Sequence, residues 1–466
     1  MKILRRCLKA LGWLALAMGS VAALFLAALV AANWRDDPLS EAAQQALRYT
    51  PPTEQDLEDN GYLILLGLDA PAQGDAVTDA IALGRQRLAR EIERRRWVEA
   101  HGDATDGMPP TLPGKDNGDD LLPKRLRCPA NEVNCFGWYV GHSTEIDTLA
   151  QANQVQLQRL AAAARAKQFS NPAPFYLVNE LPPFARLVRA HELWLAQASL
   201  HWTRGQPQQA MDIARQAVQL RSRLASNSNS LITSLIALAL QHRELRWLSD
   251  ASARLTPQSP ALVSKGIEEL LSTPPSSLRH ALEGEKQFTA SILYSQQHTT
   301  WGLGFLGKAR IWALLPQQTL NMSIENLQHM QDLSDLPAHQ LEAALSNILR
   351  KWEDDHACAP GIRLRNAAGL CMAAIATPSY QGYVLRVADL DGYRRLVLLQ
   401  HRATVQRITL ADMPAWLADS PPELRNPYTL QPMQWDAAAG SLAFEGREKQ
   451  TQNPDQSPTY RITLRH

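Results

Sequence analysis

Five cysteines are the residues of this 466-residue chain whose type and spacing point most directly to chemistry. Cys7 stands alone, whereas Cys128/Cys135 and Cys358/Cys371 form two close pairs. In an oxidising compartment each pair closes a short local disulfide. Loop entropy gives the first ring ~2.5 kcal/mol and the second ~3 kcal/mol. Zinc is the alternative for the first pair, because His142 follows it. However, six residues separate Cys128 from Cys135 and six more separate Cys135 from His142. Ordinary zinc knuckles place about two to four residues between cysteines.

The run Gly302-Leu303-Gly304-Phe305-Leu306-Gly307-Lys308-Ala309 fits a dinucleotide glycine fingerprint and most of a phosphate loop. A phosphate loop needs a Ser or Thr hydroxyl for Mg²⁺ where Ala309 stands, and a strand before it. His298-Thr299-Thr300-Trp301 is too short for that strand, so no nucleotide is expected. The twelve histidines are scattered, with none spaced for a helical metal pair, and no HExxH, calcium loop or Gly-x-Ser-x-Gly elbow occurs. Neither a metal nor a cofactor is expected. Glu283 and Glu285 lie two apart on a helical pattern and so point to different faces. Together with Asp389/Asp391, Glu268/Glu269 and Asp354/Asp355 they read as solvated helix charges. Glycosidase carboxylates can come from distant segments, so an envelope glycan-acting enzyme stays the alternative to a non-catalytic protein.

Charge excludes a further class. Lys+Arg number 47 against Asp+Glu 46, a balance that lacks the basic excess of a nucleic-acid binder. No nucleic-acid partner is expected.

These residues must be held somewhere, and the N-terminus gives the address. Leu11–Ala32 is apolar and uncharged, behind Lys2, Arg5, Arg6 and Lys9 and ahead of Asp36 and Asp37. At ~1.5 Å per residue such a helix reaches roughly 33 Å, enough to cross a ~30 Å hydrocarbon core. The positive-inside bias leaves residues 1–10 in the cytoplasm and sends the remainder across. The expected location is therefore the inner membrane of a Gram-negative bacterium, single-pass, with the bulk periplasmic. A cleaved signal peptide ending at Val30-Ala31-Ala32 is the rival, although its apolar region would be unusually long.

Beyond the span, residues 33–127 read as juxtamembrane helices and a loop. Pro51-Pro52 interrupts the first part, and 82–99 carries Leu83, Leu88, Ile92 and Trp97 at helical spacing. Arg85, Arg87, Arg90, Arg94, Arg95 and Arg96, interleaved with Glu91, Glu93 and Glu99, read as its solvated face. Residues 100–127, rich in Gly, Asp and Pro, read as loop. Residues 128–372 form a helical domain bounded by the two cysteine pairs, with helices expected over 145–168, 183–204, 207–225, 230–250, 260–272, 276–296 and 338–356. Leu231–Leu240 is apolar nearly all round and reads as the central buried helix. Residues 373–466 give one helix over 380–402 and a small β cap. Met433–Trp435 and Leu442–Phe444 flank a Gly440 turn, and Tyr460–Leu464 alternates as a last strand. The fold class is mainly α, irregular or repeat-like, with a small C-terminal β-hairpin element.

One stretch carries a recognisable pattern. Trp194, Ala198, Gly205, Ala210 and Ala217 follow a spacing of large, small, turn, small, small. Ala198 and Ala210 allow two helices to approach closely, Gly205-Gln206 makes the turn, and Pro207 suits the first turn of the next helix. Residues 191–224 thus resemble a tetratricopeptide repeat, with His201 in place of the usual tyrosine and Ser222 in place of the usual proline. No second copy is evident, whereas a solenoid needs several. The resemblance implies a scaffold that binds another protein on a concave face, without catalysis. Asn426-Pro427-Tyr428, with Pro432 and Trp435 following, is similar to an element of uncharacterised, membrane-anchored exported bacterial proteins, which implies a proline-fixed turn leading into a hairpin. The functional expectation is a membrane-anchored periplasmic scaffold docking an envelope protein partner; an accessory part in a secretion or pilus assembly is a further alternative.

Overall fold

The computed structural model describes residues 2–101, 106–114, 118–129, 132, 134–176, 179–227, 229–273, 275, 277–295, 314–356, 364–448 and 458–464. The described helices are α1 (Lys2–Ala32), α2 (Glu41–Leu47), α3 (Glu54–Leu57), α4 (Gly61–Leu66), α5 (Ala76–His101), α6 (Cys135–Gly141), α7 (Ser143–Ala152), α8 (Gln154–Arg165), α9 (Phe184–Thr203), α10 (Pro207–Asn227), α11 (Leu231–Ser252), α12 (Ala261–Ser272), α13 (Arg279–Ser295), α14 (Pro316–Ser334), α15 (Ala338–His356), α16 (Ala367–Gln406) and α17 (Met413–Ala418). Strands β1 (Gln434–Asp436), β2 (Ser441–Glu445) and β3 (Thr459–Thr463) form one antiparallel sheet in that order. The chain is mainly helical with a small sheet, as its periodicity suggests.

Helix α1 contains a segment, Leu11–Ala32, long and apolar enough to cross a membrane, and none of it is buried in the body. Leu11, Trp13, Leu14, Leu16, Met18, Val21 and Leu24 are 58–71% exposed, a large apolar surface that water does not favour. Its C-terminal end is clasped. Asn33 donates to the Leu364 carbonyl (2.6 Å) and accepts from the Asn366 N–H (2.8 Å). Arg365 donates to the Ala32 carbonyl (2.8 Å) and pairs with Asp37 (2.7 Å). Asp36 accepts the N–H groups of Gln317 and Gln318 at the start of α14 (2.7 and 3.0 Å), where orphan helix donors and the helix dipole favour a carboxylate. The residues just after α1 are thus tied to the body. Ala43 and Ala46 of α2 pack with Ala290, Leu293, Leu320 and Ile324 in a small core of their own.

The main core runs from Tyr62 to Leu464 as one contiguous cluster. α16 continues unbroken through 372/373, the expected domain border. α11 sits centrally, packed against α6, α9, α10, α12, α13 and α16. The expected helix over 145–168 is instead two, α7 and α8, broken at Asn153, whose side chain bonds back to the Leu149 carbonyl (2.9 Å).

Helix α5 departs from its expected amphipathicity. Its buried stripe is Ala76, Ala80, Gly84, Arg87, Leu88, Glu91, Arg94 and Val98, so part of the arginine-rich face points inward. Arg87 forks onto Asp69 (2.6 and 3.0 Å). Glu91 accepts the Tyr176 hydroxyl and the Glu180 N–H; Arg94 donates to Tyr176 (3.2 Å) and to the Pro109 carbonyl (2.7 Å). Burial raises the Glu91 carboxyl, partly offset by Tyr176, the Glu180 N–H and Arg94. The charges stay inside because nearly every one has a partner, the condition for burying them. α4 crosses α5 at a glycine pair. A Cβ on Gly84 would lie 2.0 Å from the Leu63 oxygen and one on Gly67 1.9 Å from the Ala80 oxygen.

The sheet packs on α16. Tyr460 stacks on Phe444 (centroids 5.1 Å) and meets Tyr393 of α16 (5.6 Å). Asp389 of α16 is fully buried, accepting the Tyr428 hydroxyl and the N–H groups of Arg447 (2.8 Å) and Glu448 (3.0 Å). A turn forms at Asn426. Asn426 accepts the Tyr428 N–H through its side chain (2.9 Å) and the Leu430 N–H through its carbonyl (2.9 Å), with Leu430 at φ 58°.

Candidate functional site

The α9–α10 hairpin positions one wall of the site. Trp194, Ala198, Ala210 and Ala217 are buried between α9 and α10, and Gly205 makes the turn at φ 78°, a conformation natural to glycine. Each helix then contributes one member of a buried ionic triad. His191 of α9 meets Glu244 of α11 (3.1 Å), and Arg221 of α10 meets the same carboxylate (3.0 Å). Burial works to raise the Glu244 carboxyl, but Arg221 and His191 outweigh it and hold it below its ordinary value. The triad fixes how α9, α10 and α11 sit together.

Against that wall lies the first cysteine ring. Cys128 and Cys135 are disulfide-bonded. Arg246 of α11 donates to the Pro129 carbonyl (3.0 Å) and the Glu132 carbonyl (2.6 Å) of the ring. Cys371 is disulfide-bonded; its expected partner Cys358 lies outside the described residues.

A cavity of about 260 Å³ opens beside the disulfide, lined by Arg127, Arg189, Arg243 and Arg246 with Glu192 as its one carboxylate. Glu192 is shared: Arg189 reaches it at 3.1 Å, Arg243 at 3.8 Å and the Tyr139 hydroxyl at 3.5 Å. Arg127 pairs with Asp119. His242, which also lines the cavity, stacks on Tyr393 (5.4 Å). Its imidazole is pushed down to about 4 by burial first, then by Arg246 and Arg243, so the ring is neutral near pH 7. The cavity is electropositive.

His242 and Arg246 also line a second cleft, of about 350 Å³, between β3 and α11. Ser249 and Asp250 of α11, with Ala253 just past its end, form one side, and all of Thr459–Thr463 the other. The register decides what β3 presents. Leu464 bonds Gly440 (2.8 Å) and Gly446 bonds Pro458 (2.8 Å), so the even-numbered residues of β3 bond β2. The N–H and C=O groups of Thr459, Arg461 and Thr463 therefore point away from β2, to the open edge. Among the described residues none of them has a hydrogen-bond partner. At Ala253 the cleft continues into a groove of about 990 Å³ lined by Leu255, Val405 and Leu410.

The carboxylates singled out by sequence do not converge. Glu283 faces Lys286 (2.9 Å) and Gln331 (3.1 Å), whereas Glu285 faces inward against Tyr380. Glu268 pairs with Arg402 (3.0 Å) and Glu269 with Lys265 (3.8 Å). Asp389 is a buried anchor rather than a solvated charge, and Asp391 holds Arg394 and Arg395 (2.8 and 2.7 Å). The side chains of Asp354 and Asp355, and the whole Gly302–Ala309 run, lie outside the described residues. Among the described residues no three His, Cys, Asp or Glu gather to hold a metal.

Sequence reasoning reached the disulfide, the hairpin and the last strand, but not the arginine cavity. Its residues come from four separate stretches, and only the Arg243/Arg246 spacing on one apolar helix hinted at it. Compared with known proteins, the chain matches no family model, no curated protein and no solved structure.

Proposed function

We propose that this protein is a membrane-anchored helical scaffold of the cell envelope that docks an extended segment of another protein along β3. The observation that carries this reading is the row at Thr459, Arg461 and Thr463, without a partner among the described residues and bordering a cleft that α11 walls. Strand addition supplies main-chain bonds to such a row. Ordinary proteins shield open edges because they recruit other strands. Residues 11–32 would hold the body at the inner membrane, with its bulk periplasmic, a location the Cys128–Cys135 disulfide favours. The repeat-like α9–α10 hairpin would serve as the rigid wall behind the cleft.

Thr463→Pro tests the reading. Proline removes one outward N–H and leaves the pairing of β3 with β2 intact, the placement in which edge strands tolerate it. With a photoreactive residue at Thr459, native membranes are expected to yield one discrete crosslinked adduct. That adduct persists in Thr463→Ala and drops at least tenfold in Thr463→Pro, while both variants keep the helical circular dichroism and the disulfide. Equal adduct in Thr463→Pro, or none in the unsubstituted edge, overturns the proposal.

A further inference from the structure

The arginine cavity and the β3 cleft share His242 and Arg246, and their order along the strand has a chemical meaning. His242 stacks on Tyr393, which meets Tyr460. The cavity therefore lies toward the N-terminal end of β3. Ala253 and Leu464, which line the next groove, mark its C-terminal end. A segment added antiparallel to β3 runs the opposite way and brings its own C-terminus to the arginines.

Charge fits that arrival. Four guanidinium groups line the cavity; Arg127 is paired with Asp119, and Glu192, the one lining carboxylate, is already divided between Arg189 and Arg243. Arg246 bonds backbone carbonyls, and among the described residues it meets no carboxylate. Burial disfavours the charge on Arg243; Glu192 and Tyr139 favour it, and neighbouring Arg189 and Arg246 oppose it. An arriving anion would relieve this crowding. The planar fork of arginine suits a carboxylate held through two parallel bonds. A cavity of about 260 Å³ is small, of a size for one such group with little else.

We propose that this cavity is a carboxylate site, which receives the C-terminal carboxylate of a polypeptide segment added antiparallel to β3. The inference rests on the docking reading above and adds to it an orientation and a terminus.

The test selects heptapeptides from a random library displayed with free C-termini, against the full chain in detergent. Selected sequences are then synthesised as free acid and as C-terminal amide. The amide is expected to bind at least tenfold more weakly than the acid, and Arg246→Gln is expected to shrink that gap to under threefold. Since the main comparison changes only the peptide, folding of the protein is untouched. Peptides that lose binding on Thr463→Pro yet bind equally as acid and amide overturn the carboxylate site and leave the docking reading standing. An acid-amide gap of unity together with weakening on Asp→Asn or Glu→Gln within the peptide assigns the anion to a side chain and also overturns it. An empty selection, or peptides indifferent to Thr463→Pro, overturns both.

Discussion

Glu244→Ala is expected to destabilise the body by about 3–5 kcal/mol, the usual consequence of stranding a buried charge. Arg221 would be left in a nearly water-free site without the carboxylate that faces it at 3.0 Å, and His191 would lose its 3.1 Å partner. The effect spreads because the three residues belong to three packed helices, α10, α9 and α11, of which α11 walls the cleft. Charge, rather than lost volume, is the cause. The double variant Glu244→Leu with Arg221→Leu is therefore expected to recover at least half of the loss, as apolar replacement of buried pairs often does. Urea denaturation of the purified chain measures both. A loss below about 1 kcal/mol, the scale of an exposed pair, contradicts the assignment.

The second large effect depends on pH. Glu285 is pushed up from 4.5 to about 7 by burial, against the lowering influence of a Leu231 backbone bond and Tyr380. A carboxyl raised in the folded state favours folding fully below its unfolded pKa. That contribution is lost as pH rises through the folded value. Between pH 4.5 and pH 7 the native state thus gives up roughly 3 kcal/mol at this one residue. Glu285→Gln keeps the shape and cannot ionise. Its stability, followed by urea denaturation at pH 5 and pH 8, is expected to fall less than that of the unsubstituted chain by roughly this amount. Asp389 and Glu91, raised mainly by burial, contribute a slope common to both proteins, so the difference isolates Glu285. Parallel stability profiles would show that Glu285 is solvated.

The helices over 184–203, 207–227, 231–252 and 338–356 were legible because apolar residues recur there at the helical period. α14 was not. Its inward positions include Thr319, Asn326 and Gln331, polar residues that blur an apolar stripe. The same limit hid the interior of α5. Periodicity counts Arg87, Glu91 and Arg94 as surface, whereas Asp69, Tyr176 and the Pro109 carbonyl, from other segments, allow them inside. The site shows both outcomes. Alternation revealed β3, and close spacing revealed the cysteine ring. The open edge depends on sheet order, and the triad joins residues 23 and 53 apart in sequence. Neither has a local signal.

A scaffold docking an envelope partner requires the body to lie across the membrane from residues 1–10. Two reporters fused in turn after His466 measure this directly: a phosphatase that folds only in the periplasm, and a fluorescent protein that matures only in the cytosol. Phosphatase activity with a dark fluorescent fusion is the predicted result. A bright fluorescent fusion with a silent phosphatase would contradict the whole assignment of place and partner.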